Sequence, residues 1–98
     1  MRPGLWRRRM KTETRGVISS AWGVLAPVKA DSAEYDRWAG NAVGEKRRAV
    51  FRFYGCADML EDGVSRILCR GKRYLVLESR RVAISGKAVM TDAVLREE

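Results

Sequence analysis

The clearest alternation of hydrophobic and polar positions lies in the middle of the chain, over residues 49–54. Phe51 and Phe53 alternate there with Arg52, and a period of two is typical of a strand with one face in the core. Gly55 is predicted to end this strand. Phe51 and Phe53 are therefore expected to face the interior, and Arg52 the outside.

Three further strands are predicted after it. Residues 66–70 form one, and Gly71-Lys72 follows as a two-residue hairpin turn with glycine first, the type II′ pattern. Residues 73–79 form its partner, which continues toward a second turn at Ser85-Gly86. Residues 87–95 form the last strand, and residues 47–96 are expected to run as consecutive hairpins around an apolar interior.

Two strands are predicted before residue 49. Residues 17–26 read as a strand that places Trp22 and Val24 on one face. Because proline cannot donate a ladder hydrogen bond, this strand is expected to end near Pro27 or to lie at an edge. Residues 1–15 are dominated by positive charge. They are interpreted as a basic N-terminal arm or an exposed edge strand.

Residues 31–46 lose the strand pattern. Asp31 or Ser32 can cap a short helix, in which Tyr35 and Trp38 share a face. The sequence thus predicts an all-β fold: a small antiparallel β-barrel of five or six strands over residues 16–98, with one long loop carrying a short helical turn. Closure is expected because it removes exposed strand edges.

Composition limits the chain to one domain and gives it a strong positive charge. It has 98 residues, with 20 Lys and Arg against 12 Asp and Glu, for a net charge of +8. Such a balance suits nucleic acid, an anionic surface or an acidic protein, although a solvated arginine-rich surface is the alternative. No apolar run is long enough to span a bilayer, and no secretory signal is recognised, so we expect a cytoplasmic protein without membrane contact.

The sequence offers no recognisable catalytic or metal-binding set. It has no histidine, which removes the usual general base and the commonest metal ligand. The carboxylates of Asp58, Glu61 and Asp62 are interpreted as a solvated turn. Cys56 and Cys69 are expected to be free thiols, with a single bridge as the alternative. We therefore expect a protein that is not an enzyme and needs no cofactor.

Two groups of residues are candidates for binding. The first group is basic and would face nucleic acid. The alternative roles for its residues are to protect an edge strand from aggregation and to solvate the end of a strand. Its members are Arg7, Arg8, Arg9, Lys11, Arg47 and Arg48. The second is Tyr35, Arg37 and Trp38, residue types enriched at interfaces. Its alternative is a lid in which Tyr35 and Trp38 fold back onto the barrel.

The order of these segments resembles the small head–tail joining (head completion, or stopper) proteins of tailed bacteriophages and prophages. The likeness covers about residues 22–95 and rests mainly on R-I-x-x-x-G-x-x-Y-x-V, from Arg66 to Val76. Other matching segments are Pro27-Val28, Glu34, the strand Val50–Tyr54, Asp58-Met59-Leu60 and Gly63.

The resemblance implies a structural virion protein that completes the head–tail connector as a homo-oligomeric ring between portal and tail proteins. It would be found in the bacterial host cytoplasm and in the virion, with non-specific contact to the DNA that passes through the ring. Tyr35, Arg37 and Trp38 would then contact neighbouring subunits. The alternatives are a monomeric small-barrel nucleic-acid-binding protein, with Phe51 and Phe53 facing outward to stack bases, and a barrel-type ribonuclease.

Overall fold

The computed structural model describes residues 8–38, 48–84 and 88–98, and it contains six strands and one short helix within them. All-β architecture, the number of strands and the short helix agree with the prediction. The elements are β1 (Arg8–Thr14), β2 (Val17–Pro27), α1 (Ala33–Trp38), β3 (Val50–Cys56), β4 (Arg66–Cys69), β5 (Lys72–Ile84) and β6 (Ala88–Glu97).

The strands form one closed antiparallel barrel in the order β1-β2-β3-β6-β5-β4. Closure comes from β1 and β4, where Lys11 lies opposite Leu68. Because β3 pairs with β6, the chain crosses from β3 to β4 without forming a hairpin. The expectation that everything after residue 47 forms consecutive hairpins is therefore wrong at this connection.

Strand β1 is part of the barrel wall. It pairs with β2 on one side and with β4 on the other, and its Met10 and Thr12 side chains are buried. The interpretation of residues 1–15 as an arm or an edge strand is thus wrong for residues 8–14. The charged residues around Met10 and Thr12 concealed a normal period of two. Residues 1–7 lie outside the described part of the chain.

Two hairpins turn through a pair of residues with positive φ. Arg15 and Gly16 have φ of 51° and 87°, and Arg70 and Gly71 have φ of 52° and 77°. Positive φ at both central residues is the type I′ pattern. The predicted type II′ turn at Gly71-Lys72 is therefore wrong by one residue, because Lys72 already pairs with Cys69. Ser85-Gly86 lies outside the described residues.

The interior is filled by side chains from facing strands. The largest fully buried residues include Phe53, Ile67 and Leu95, and the rings of Phe51 and Tyr74 meet edge to face with centroids 5.1 Å apart. Both phenylalanines thus belong to the core, as their alternation with Arg52 predicts. The rival that needs Phe51 and Phe53 on the outside is wrong on this point.

Strands β2 and β3 approach closely at a pair of opposed glycines. Gly23 lies opposite Gly55, and a Cβ on Gly23 would lie 2.7 Å from the Gly55 Cα and also clash with the Tyr54 carbonyl oxygen. The prediction that Gly55 ends β3 is therefore wrong. The missing side chain instead lets β3 continue to Cys56 past the closely packed β2.

Helix α1 covers part of the outer wall. The Ser32 Oγ accepts a hydrogen bond from the Tyr35 amide at 3.1 Å, which confirms Ser32 as its cap. Tyr35 packs on a small apolar cluster around the buried Val50 and Val94. In the described residues, no helix is long and apolar enough to cross a membrane.

Candidate nucleic-acid interface

Strand β1 places two cations side by side on the outside of the barrel. Arg9 and Lys11 are exposed and flank Met10, which faces the core. In the ladder to β2, Arg9 lies opposite Trp22 and Lys11 opposite Ser20. The β1–β2 register therefore sets an aromatic ring beside a guanidinium.

These residues belong to a shallow groove on the outer wall, which we call the basic groove. The groove has a volume of about 610 Å³. Arg70 adds a third cation to it from the β4–β5 turn. The lining contains no carboxylate and consists of Arg9, Met10, Lys11, Ser20, Ala21, Trp22, Leu68, Arg70 and Gly71.

A second depression of about 310 Å³ continues the positive charge to one end of the barrel. Arg70 lines both cavities, and Arg8 and Lys72 add charge to the second. Its other residues are Leu25, Cys69 and Tyr74, so no carboxylate lines it either. The nearest compensation is Glu97, whose carboxylate lies 3.7 Å from the Lys72 Nζ.

Positive charge elsewhere on the barrel is largely paired. Arg15 binds Glu61 at 2.6 Å and Arg66 binds Glu98 at 2.6 Å. In contrast, the lining cations of the basic groove make no ion pair with a carboxylate among residues 8–38, 48–84 and 88–98; these are Arg9, Lys11 and Arg70. Within the described residues, this side of the barrel therefore carries a cluster of cations whose charge no carboxylate offsets.

A groove beneath α1 differs in its charge. It has a volume of about 360 Å³, and its three arginines face three carboxylates: Arg37, Arg52 and Arg80 against Glu34, Glu78 and Asp92. Arg52 bridges Glu34 and Asp92, and Arg80 reaches Asp92 at 3.3 Å. Because these charges balance, this groove has no net attraction for an anion.

The structure brings only part of the predicted basic set together. Arg9 and Lys11 line the basic groove, and Arg8 lines the adjoining depression. Arg48 is exposed before β3 and lines neither cavity, whereas Arg7 and Arg47 lie outside the described residues.

Sequence reasoning missed two residues of the basic groove, Arg70 and Trp22. The pattern placed Trp22 on one face with Val24, but it did not say that this face is the outside. The position of Arg70 at a hairpin turn was a usable signal of exposure.

The predicted partner-contact group is divided. Tyr35 is half-buried against Val50 and Val94, which is the folded-back arrangement given as the alternative. Arg37 is exposed and lines the groove beneath α1. The backbone of Trp38 ends α1, but its side chain lies outside the described part of the structure.

The acidic turn has structural partners. Glu61 accepts two hydrogen bonds from the Arg15 guanidinium, which hold the pKa of that carboxyl below its ordinary value, and Asp62 accepts one from the Ser79 hydroxyl. Within the described ranges, no three His, Cys, Asp or Glu residues are grouped as metal ligands. Cys56 and Cys69 are both free thiols, as expected.

Comparison with known proteins adds no relative. No family model, no curated protein and no solved structure matches this chain. The geometry of the barrel surface is therefore the observation that bears on function.

Proposed function

We propose that this protein binds nucleic acid as a structural, non-enzymatic component of a phage or prophage head–tail connector. One observation carries the nucleic-acid part: three cations line a groove that contains no carboxylate. A surface that merely solvates arginines would mix both signs, as the groove beneath α1 does. Phosphate groups would supply the missing negative charge.

The cations are suited to backbone contact rather than to reading bases. Arg9, Lys11 and Arg70 come from two separate parts of the barrel wall and project from a shallow surface. Contacts of this kind position a nucleic acid without specifying its sequence. Binding should therefore be insensitive to sequence and should weaken as salt increases.

The connector setting is supported by the family resemblance of residues 22–95. A ring of identical subunits needs heterologous contacts, in which one surface of a subunit meets a different surface of the next. The exposed Arg37 and the neighbouring Trp38 are our candidates for such a contact, while Tyr35 is partly engaged by its own barrel.

The test combines binding with the mass of the assembly. The protein is titrated with a fluorescent DNA duplex at several salt concentrations, and its mass is measured by light scattering. Replacing Arg9 and Lys11 by Gln should weaken binding and reduce the salt slope by about 0.9 per cation lost. The control Arg81→Gln removes an exposed charge on β5, outside both basic cavities.

Each result bears on one half of the proposal. Absence of duplex and single-strand binding at low salt would rule out the nucleic-acid function. A protein that binds DNA but stays a monomer at high concentration would rule out self-assembly into the ring.

A second candidate is the monomeric small-barrel nucleic-acid-binding protein. One observation favours it: Trp22 is 43% exposed and lies in the basic groove, so an aromatic ring is present on the outer wall even though Phe51 and Phe53 are not. A monomer that binds single strands with a steep salt dependence would support this candidate over the connector.

A further inference from the structure

We propose that the basic groove holds a single-stranded nucleic acid, with bases stacked on Trp22 and Tyr54 and phosphates on the cations of β1. The inference rests on the nucleic-acid binding proposed above, whichever assembly state is correct. It adds the class of ligand and the residues that would select it.

Two large aromatic side chains lie exposed on the outer wall, Trp22 within the basic groove and Tyr54 one strand beyond it. Trp22 is 43% exposed and Tyr54 is 42% exposed, although burial of such side chains is normally favourable. Trp22 is opposite Arg9 across the β1–β2 ladder, and Tyr54 follows on β3, opposite Val24. Both rings therefore lie on the same convex face, with Trp22 nearer to the cations.

The spacing of Trp22 and Tyr54 does not match the stacked bases of a duplex. Trp22 pairs with Cys56 and Val24 with Tyr54, so Trp22 and Tyr54 are diagonal neighbours. Diagonal neighbours are separated by about 7–8 Å, which is roughly twice the 3.4 Å spacing along one strand of a duplex. Bases that stack on both rings must be separated from each other, which a single strand allows.

The cations repeat at the same interval. Arg9 and Lys11 are two residues apart on one strand and are therefore separated by about 6.8 Å along it. Trp22 on β2 is one strand away from the β1 cations and Tyr54 on β3 is two strands away, with about 4.8 Å between neighbouring strands. An extended single strand that runs along β1 and β2 could place one phosphate beside each cation while its bases turn toward the rings.

The experiment compares one oligonucleotide in two forms. A labelled 12-nucleotide DNA strand and the duplex of the same sequence are each titrated with the protein, and anisotropy is recorded at several salt concentrations. We expect the single strand to bind more tightly. Trp22→Ala should weaken single-strand binding by about 5- to 150-fold, the range for loss of one base–aromatic stack, and leave duplex binding unchanged.

Two variants keep the test interpretable. Trp22→Phe retains a stacking ring and should keep most of the single-strand affinity, whatever the alanine variant does to folding. Val89→Ala removes an exposed apolar side chain from β6, outside the basic groove, and should change nothing. Tyr54→Ala should weaken single-strand binding less than Trp22→Ala, because Tyr54 lies farther from the cations.

The outcomes separate the two proposals. Equal affinity for both forms, or a folded Trp22→Ala variant with unchanged single-strand affinity, overturns the stacking inference. The phosphate-binding function survives in that case if replacement of Arg9 and Lys11 by Gln still weakens binding. If neither form binds at low salt, both proposals fail together.

Discussion

The opposed glycines of β2 and β3 provide the sharpest test of how this barrel closes. Neither Gly23 nor Gly55 has a positive φ, so neither is required for its backbone conformation. What they supply is space. In Gly23→Ala, the new Cβ would meet the Gly55 Cα at 2.7 Å, and the Tyr54 carbonyl oxygen also obstructs it.

The size of the effect follows from that distance. Carbon atoms pack best at about 3.5–4.0 Å, so β2 and β3 would have to separate locally by roughly 1 Å. Overpacking of this kind costs about 1–3 kcal/mol, and two or three stretched ladder hydrogen bonds add about 1 kcal/mol each. We expect Gly23→Ala to lower the free energy of unfolding by about 3–6 kcal/mol and Tm by at least about 12 °C.

Gly63 supplies the matched comparison. Its φ is 78°, and a Cβ there would have no atom within 4 Å, so it has space but needs a left-handed backbone. Gly63→Ala should cost about 1–2 kcal/mol, and Gly63→Asn should recover part of that because Asn tolerates positive φ. Gly23→Asn should be at least as harmful as Gly23→Ala, because its larger side chain worsens the clash.

Urea unfolding of the five proteins, followed by circular dichroism, measures these differences directly. The reasoning would be refuted if Gly23→Ala were within about 1 kcal/mol of the parent. It would also fail if Asn were better tolerated than Ala at position 23, since that pattern belongs to a conformational requirement and not to a steric one.

Two further predictions concern ion pairing and turns. Because the Arg15 hydrogen bonds lower the pKa of Glu61 in the folded state, the pair stabilises the protein above about pH 4.5, and this contribution is lost as the pH falls through the lower folded pKa. Glu61→Gln should therefore flatten the fall in Tm between pH 6 and pH 3, and an unchanged profile would contradict this. Arg70→Asn should raise the free energy of unfolding by about 0.5–1 kcal/mol, because Asn adopts the φ of 52° more readily. The same variant should weaken DNA binding, because it removes one cation of the basic groove. A more stable variant with unchanged DNA affinity would show that Arg70 is not part of the interface.

The strands could be predicted where one face is charged and the other apolar. Arg52 between Phe51 and Phe53 is unambiguous, because a side-chain period of two leaves one choice of inner face. At β1 the same period was present, but it was carried by Met10 and Thr12 among charged neighbours. There the positively charged composition favoured an arm or an edge strand, although the alternation of side chains predicts a strand with one buried face.

The order of strands was not accessible in the same way. Pairing of β3 with β6 joins residues about 40 positions apart, and nothing local in either strand specifies the partner. The close approach of Gly23 to Gly55 depends on the same long-range geometry. A glycine inside a strand signals either an end or a close contact, and the sequence alone does not distinguish the two.

The candidate interface shows the same division between local and long-range information. Arg9 and Lys11 could be paired from their spacing on one strand, but Arg70 reaches them through the β1–β4 ladder that closes the barrel. The excess charge of +8 is equally uninformative until the ion pairs are known. Once Arg15, Arg66 and Arg80 are matched to carboxylates, the basic groove stands out as a place where charge is left for a ligand to neutralise. Affinity for nucleic acid should therefore depend on which cations are removed and not on how many. A variant in the basic groove and a variant elsewhere on the surface, with equal net charge, should differ in this affinity.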